Sequence, residues 1–147
     1  MTVENIKKSF IDTFNEKGML FFNNIEDEDS YVIITRKGNN LDEINIYVGF
    51  DLRNDGAIIV TLGFYELHNF TSNRDKGILA CNKANCTVGS KFFIDDDDDA
   101  ITISKMLFDA YTIKTGFSAE MVLLLAFEIA MDVDEVYPIF ADAANLN

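Results

Sequence analysis

Tryptophan is absent from this chain of 147 residues, which also has a single proline, a single histidine and two cysteines. Each shortage excludes something. One histidine cannot build a two-histidine zinc site, and any Ser–His–Asp or Cys–His arrangement has only His68 to use. His68 falls in a predicted loop, where a histidine is ordinary surface. Cys81 and Cys86 stand in a C-x4-C spacing, not the C-x-x-C of redox and zinc motifs. Five residues apart on a helix, they face different ways and are expected to be small core residues in a reducing compartment. Phosphate loops of the GxGxxG or GxxxxGKS/T kind do not occur, and the eight glycines are scattered at turns.

Basic residues are also scarce. Twelve Lys and Arg stand against 25 Asp and Glu, a formal net charge of −13. Nucleic-acid backbones and anionic membranes repel such a surface, so neither nucleic acid nor membrane is expected as a partner. The acidic field favours solubility and basic protein partners. Long apolar runs are missing too: Met121–Phe127 falls far short of the roughly 20 residues that span a bilayer. The N-terminal stretch MTVENIKKSF lacks the apolar segment of a signal peptide, and a cytoplasmic location is expected.

What is present is core material: 48% hydrophobic residues, including 13 phenylalanines. A chain of this size buries about two thirds of its unfolded surface, which suits one domain over residues 1–147. Val3, Ile6, Phe10 and Phe14 recur at helical spacing, with Thr2 as N-cap and Gly18 as a left-handed stop. Strands are expected at Met19–Asn23, Ser30–Arg36, Leu41–Asp51 and Ala57–Tyr65. The last two alternate, with Ile44, Ile46, Val48 and Phe50, then Ile58, Val60, Leu62 and Phe64, on one face. Ser72 starts a second helix whose apolar side is carried by Ile78, Leu79 and Ala80 through Cys86. Lys91–Asp95 and Ile101 to Leu107 form a hairpin around the turn Asp95–Asp99. After Thr115-Gly116, a final helix capped by Ser118 runs from Ala119 toward Ala143, with a kink expected near Pro138. The order α-βββ(β)-α-ββ-α segregates helices from hairpins, so the class is α+β, an antiparallel sheet flanked by helices.

The aspartate run does not fit a calcium loop of the EF-hand type. With Asp95, Asp97 and Asp99 as first ligands, Ala100 falls where glycine is needed and Met106 where glutamate is needed. No catalytic residue, metal ligand or cofactor is therefore assigned. The closing helix carries more information. Between Ala119 and Met131 only Glu120 and Glu128 are polar, whereas a helix on one sheet face needs only a stripe of about 100°. The surplus is either covered by the first helix or left as an interface for a second copy or a client. Leu123, Phe127 and Met131 are the expected partner-binding residues.

Several strings are similar to the YbjN family, whose fold resembles type III secretion chaperones. They are Asn82 and Asn85 of the second helix, Gly89, the stretch Lys91-Phe92-Phe93-Ile94-Asp95 with its acidic turn, and Val133 to Tyr137-Pro138. The long acidic run and the strand at Met19–Asn23 depart from that pattern. The resemblance implies a non-enzymatic adaptor or regulator, with chaperone-like relatives that dimerise and hold extended clients. A protein-binding, chaperone-like adaptor is thus the first expectation. An immunity protein neutralising a basic toxin is the second. A small enzyme using a weak divalent-metal site at Asp95–Asp99 is the third.

Overall fold

The computed structural model describes residues 2–56, 58–64, 73–95 and 117–144 with their side chains, and the backbone of residues 101–108. His68, Ser72, residues 96–99 of the aspartate run and the Thr115-Gly116 turn lie outside the described residues. The first helix, α1 (Val3–Lys17), starts where the Thr2 hydroxyl accepts the Asn5 N–H at 3.1 Å. Ile6, Phe10 and Phe14 form its buried row. Its end differs from expectation. Gly18 is right-handed, with φ −64°, and the chain continues into a 3-10 turn, Gly18–Leu20. Glycine is needed there for space, because a Cβ would run into the Phe14 ring. The strand expected at Met19–Asn23 is that turn and its exit, with the Phe22 N–H bonded back to the Gly18 carbonyl. Its residues lack β-branching, and α1 delivers the chain already coiled.

The strands follow as β1 (Asn24–Asp27), β2 (Tyr31–Arg36), β3 (Ile44–Leu52) and β4 (Ile58–Phe64). Helix α2 (Arg74–Thr87), β5 (Phe93–Ile94), β6 (Ile101–Phe108) and α3 (Ala119–Ala143) follow among the described residues. The pairings among the described residues are antiparallel, in the sheet order β1-β2-β3-β4-β6-β5, and the fold is α+β. Ile44, Ile46, Val48 and Phe50 of β3 and Ile58, Val60, Leu62 and Phe64 of β4 do face the core. Both α1 and α3 pack on β3 over that face. Each such side chain taken fully from water contributes roughly 1.5–3 kcal/mol, which makes this face the main source of stability.

Helix α2 departs from its predicted orientation. Asn73, not Ser72, is its cap, accepting the Lys76 N–H at 3.2 Å. It buries Gly77, Ala80, Cys81 and Ala84, a row of small residues, while Ile78 and Leu79 face water. Cys81 is in the core as expected, and burial pushes its thiol up to about 11. Cys86 is exposed, because its five-residue offset carries it away from the small row. Asn85 holds α2 to the next segment: its amide accepts the Phe92 N–H at 2.6 Å and donates to the Phe92 carbonyl at 3.0 Å.

Helix α3 runs through Pro138 without interruption. Proline has no N–H to give to the carbonyl four residues earlier, that of Asp134. The Asn40 side chain supplies the missing donor at 2.9 Å. Among the described residues no helix is long and apolar enough to cross a membrane.

Candidate protein-interaction surface

Helix α3 is fixed in azimuth by polar anchors on its inner side. Asp134 is the one buried charged residue among those described, only 6% exposed. Its Oδ2 accepts the Asn39 N–H at 2.8 Å, and its Oδ1 accepts those of Asn40 and Leu41 at 2.8 and 3.0 Å. The β2–β3 turn thus closes around a carboxylate some ninety residues away in sequence. Gly38 makes room for it, since a Cβ there would strike the carboxylate. Burial alone raises the Asp134 carboxyl, but the N–H donors of Asn39, Asn40 and Leu41, helped by the Arg36 charge, outweigh it. The group is held below its ordinary value of 3.8. Two residues earlier, Asp132 accepts the Ser90 N–H at 3.0 Å and its hydroxyl at 2.6 Å.

With the inner side locked, the outer side is determined. Met121, Leu124, Glu128, Met131 and Glu135 are exposed at alternating spacings of three and four, one continuous stripe. Its apolar members are 51%, 48% and 44% exposed for Met121, Leu124 and Met131. The 3-10 turn adds to it. Lys17, just before the turn, pairs with Glu120 at 3.3 Å, and the Phe21 ring, just after it, packs at a tilt against Phe127 with centroids 4.9 Å apart. Between those two ties lie Met19 and Leu20, the latter 81% exposed. Five large exposed apolar side chains, three of them methionines, therefore lie along the first half of α3 and the turn beside it.

The three expected partner-binding residues are not together on this surface. Leu123 is in the core at 1% exposure. Phe127 is half-buried, ringed by Phe21 and Phe22 and capped by the Arg36 guanidinium 4.7 Å above it. Met131 alone lies on the stripe. The cause is helical geometry: a step of four residues advances about 40° beyond a full turn, so residues 123, 127 and 131 drift from inside to outside. A Phe127→Asp change therefore strikes the fold as well as any interface. Met121 and Leu124 lie on the stripe instead, in the water-facing row that Glu128 and Glu135, spaced with them, mark in the sequence. Met19 and Leu20 join it only because their segment is a 3-10 turn and not the expected strand.

A concavity of about 380 Å³ lies between α2 and the end of α3, lined by Lys76, Leu79, Lys83, Ile139 and Asp142 among others. Among the described residues no group of three His, Cys, Asp or Glu is placed to hold a metal ion. Neither protein-family models nor curated proteins give a match to this chain.

Proposed function

We propose that this chain is a non-enzymatic, cytoplasmic protein-binding adaptor of a chaperone-like kind, which takes an apolar, basic segment of another protein on the outer stripe of α3. The observation that carries this reading is the exposed cluster Met121, Leu124 and Met131, joined by Met19 and Leu20, on a helix whose opposite side is locked into the core. Methionine is the adaptable apolar residue, suited to clients of varied shape. The charge argues for a basic partner. Glu120, Glu128 and Glu135 border the patch on a chain of net charge −13, so two copies meeting there would oppose carboxylates. The pattern resemblance to YbjN and secretion chaperones supports the same class. The acidic field also keeps an immunity protein for a basic toxin as a second reading; a partner held mainly by charge loses affinity steeply with salt.

The test is calorimetric titration with a synthetic helical peptide carrying leucines on one face and lysines on the other. A Kd of order micromolar is expected, weakened at least ~10-fold by Leu124→Asp, with an unchanged circular dichroism spectrum. Absence of wild-type binding, or binding indifferent to Leu124→Asp, overturns the proposal. A wild-type dimer by light scattering that Leu124→Asp dissolves hands the stripe to a second copy instead.

A further inference from the structure

The face of the sheet turned away from α1 and α3 has a different character from the buried one. Its outward positions are Tyr31, Ile33 and Thr35 on β2, Asn45, Tyr47, Gly49 and Asp51 on β3, and Ile59 and Thr61 on β4. Across β2, β3 and β4 lies a depression of about 270 Å³, bounded by Ser30, Tyr31, Tyr47, Gly49, Asp51, Thr61 and Gly63.

We infer that this depression is a binding site for an organic cation, a guanidinium or alkylammonium group. Gly49 is its floor, between Tyr31 of β2 and Thr61 of β4 in register. A Cβ on Gly49 would lie 2.7 Å from the Thr61 hydroxyl oxygen and 3.7 Å from Asp51 Oδ2. A hydroxyl and a carboxylate therefore both lean over bare backbone, and any larger residue would fill the space they share. Tyr31 and Tyr47 form the aromatic wall, with centroids 5.7 Å apart and planes tilted by 39°. The register between β4 and β6 slips between Val60 and Thr61, an irregularity of the kind that re-aims a side chain beside a site.

The chemistry of these groups converges. Two tyrosine rings offer electron-rich surface, a carboxylate offers negative charge, and a threonine hydroxyl offers an acceptor. A cation desolvated against aromatic rings gains about 0.5–2 kcal/mol from the ring quadrupoles. The −13 chain adds a long-range field that concentrates cations. Arg53, the nearest basic residue along the chain, stands 3.8 Å from Asp55 in the following turn. The volume lies just below the roughly 300–1,000 Å³ of drug-sized pockets, which suits a guest the size of one side chain. This site stands on the opposite face of the sheet from the α3 stripe and does not depend on the adaptor reading.

The test is a titration followed by the tyrosine ring resonances, with three probes: arginine amide, a capped Gly-Arg-Gly peptide and glucose as a neutral control. Both cations are expected to bind with a millimolar Kd and to shift Tyr31 and Tyr47, and glucose to leave them in place. Asp51→Asn is expected to weaken cation binding by about 5-fold or more, and Tyr31→Leu by about 3-fold. Tighter binding of the peptide assigns the site to a side chain of a protein partner, and equal or tighter binding of arginine amide assigns it to a free small cation. No cation-dependent shift, a glucose shift as large as the cations', or binding unchanged in both variants overturns the inference.

Discussion

Helix α3 buries Val122, Leu123, Ile129, Val133 and Phe140 and is also held by three backbone N–H groups on Asp134 and by Ser90 on Asp132. Helix α2, packed against it, buries only Gly77, Ala80, Cys81 and Ala84 and turns Ile78 and Leu79 to water. One helix is fixed by bulk and by charge; the other is seated through a small-residue row and one asparagine. Bulk makes a position expensive to change, and polar anchors fix which way a helix faces. A face of small residues tolerates loss but not addition. The outer stripe of α3 can stay apolar because the inner anchors forbid the helix to roll and hide it.

The largest predicted effect attacks the anchor. Asp134→Ala leaves the N–H groups of Asn39, Asn40 and Leu41 without their acceptor, and the expected loss is about 3 kcal/mol or more in urea denaturation at pH 7. The pH dependence has a defined sign. Because the folded carboxyl is held below its ordinary value, its contribution is complete above about pH 4 and disappears as the pH falls through the lower folded value. Asp134→Asn should therefore flatten the stability profile below pH 4. An unchanged slope there would show that the turn is not gripping a carboxylate. Next in size is addition to the small row of α2: Ala84→Leu should cost about 2 kcal/mol by overpacking. Leu79→Ser on the same helix should move stability by less than about 0.5 kcal/mol, since that side chain is already in water. If Leu79→Ser cost as much as Ala84→Leu, the assignment of α2's inner face would be wrong.

Where the core side of an element repeats strictly, the sequence already shows it. The period-two rows of β3 and β4, and Ile6, Phe10 and Phe14 of α1, lie where their spacing puts them. The α+β class follows from the same periodicities. Four features are hidden. The inner face of α2 could not be read from hydrophobicity, because its larger apolar residues are the exposed ones and packing selected small ones. The outer stripe of α3 was obscured by Leu123 and Phe127, as apolar as Met121 and Leu124 but rotated inward. The grip on Asp134 was invisible, because Gly38-Asn39-Asn40 reads as any turn and its carboxylate is distant in sequence. The tyrosine-lined depression was hidden in the same way: Tyr31, Gly49 and Thr61 meet only once the strand register is known.

The contrast between α2 and α3 sharpens further in the two cysteines, one buried and one exposed on the same helix. Cys86 should react with a thiol reagent in the native state at pH 8. Cys81 should be far slower, because its site is closed and, with its thiol pushed up to about 11, only about one in a thousand is thiolate at that pH. Its residual rate then reports how α2 opens. If α2 detaches by itself, Cys81 labelling will be insensitive to low urea and unchanged by Asp134→Ala. If α2 opens only with the whole domain, the same substitution will speed Cys81 labelling by roughly 100-fold, matching its loss of about 3 kcal/mol. The small-residue seating of α2 favours the first result. The second would mean that Asn85, bonded to both backbone groups of Phe92, ties α2 to the rest as firmly as the carboxylates tie α3.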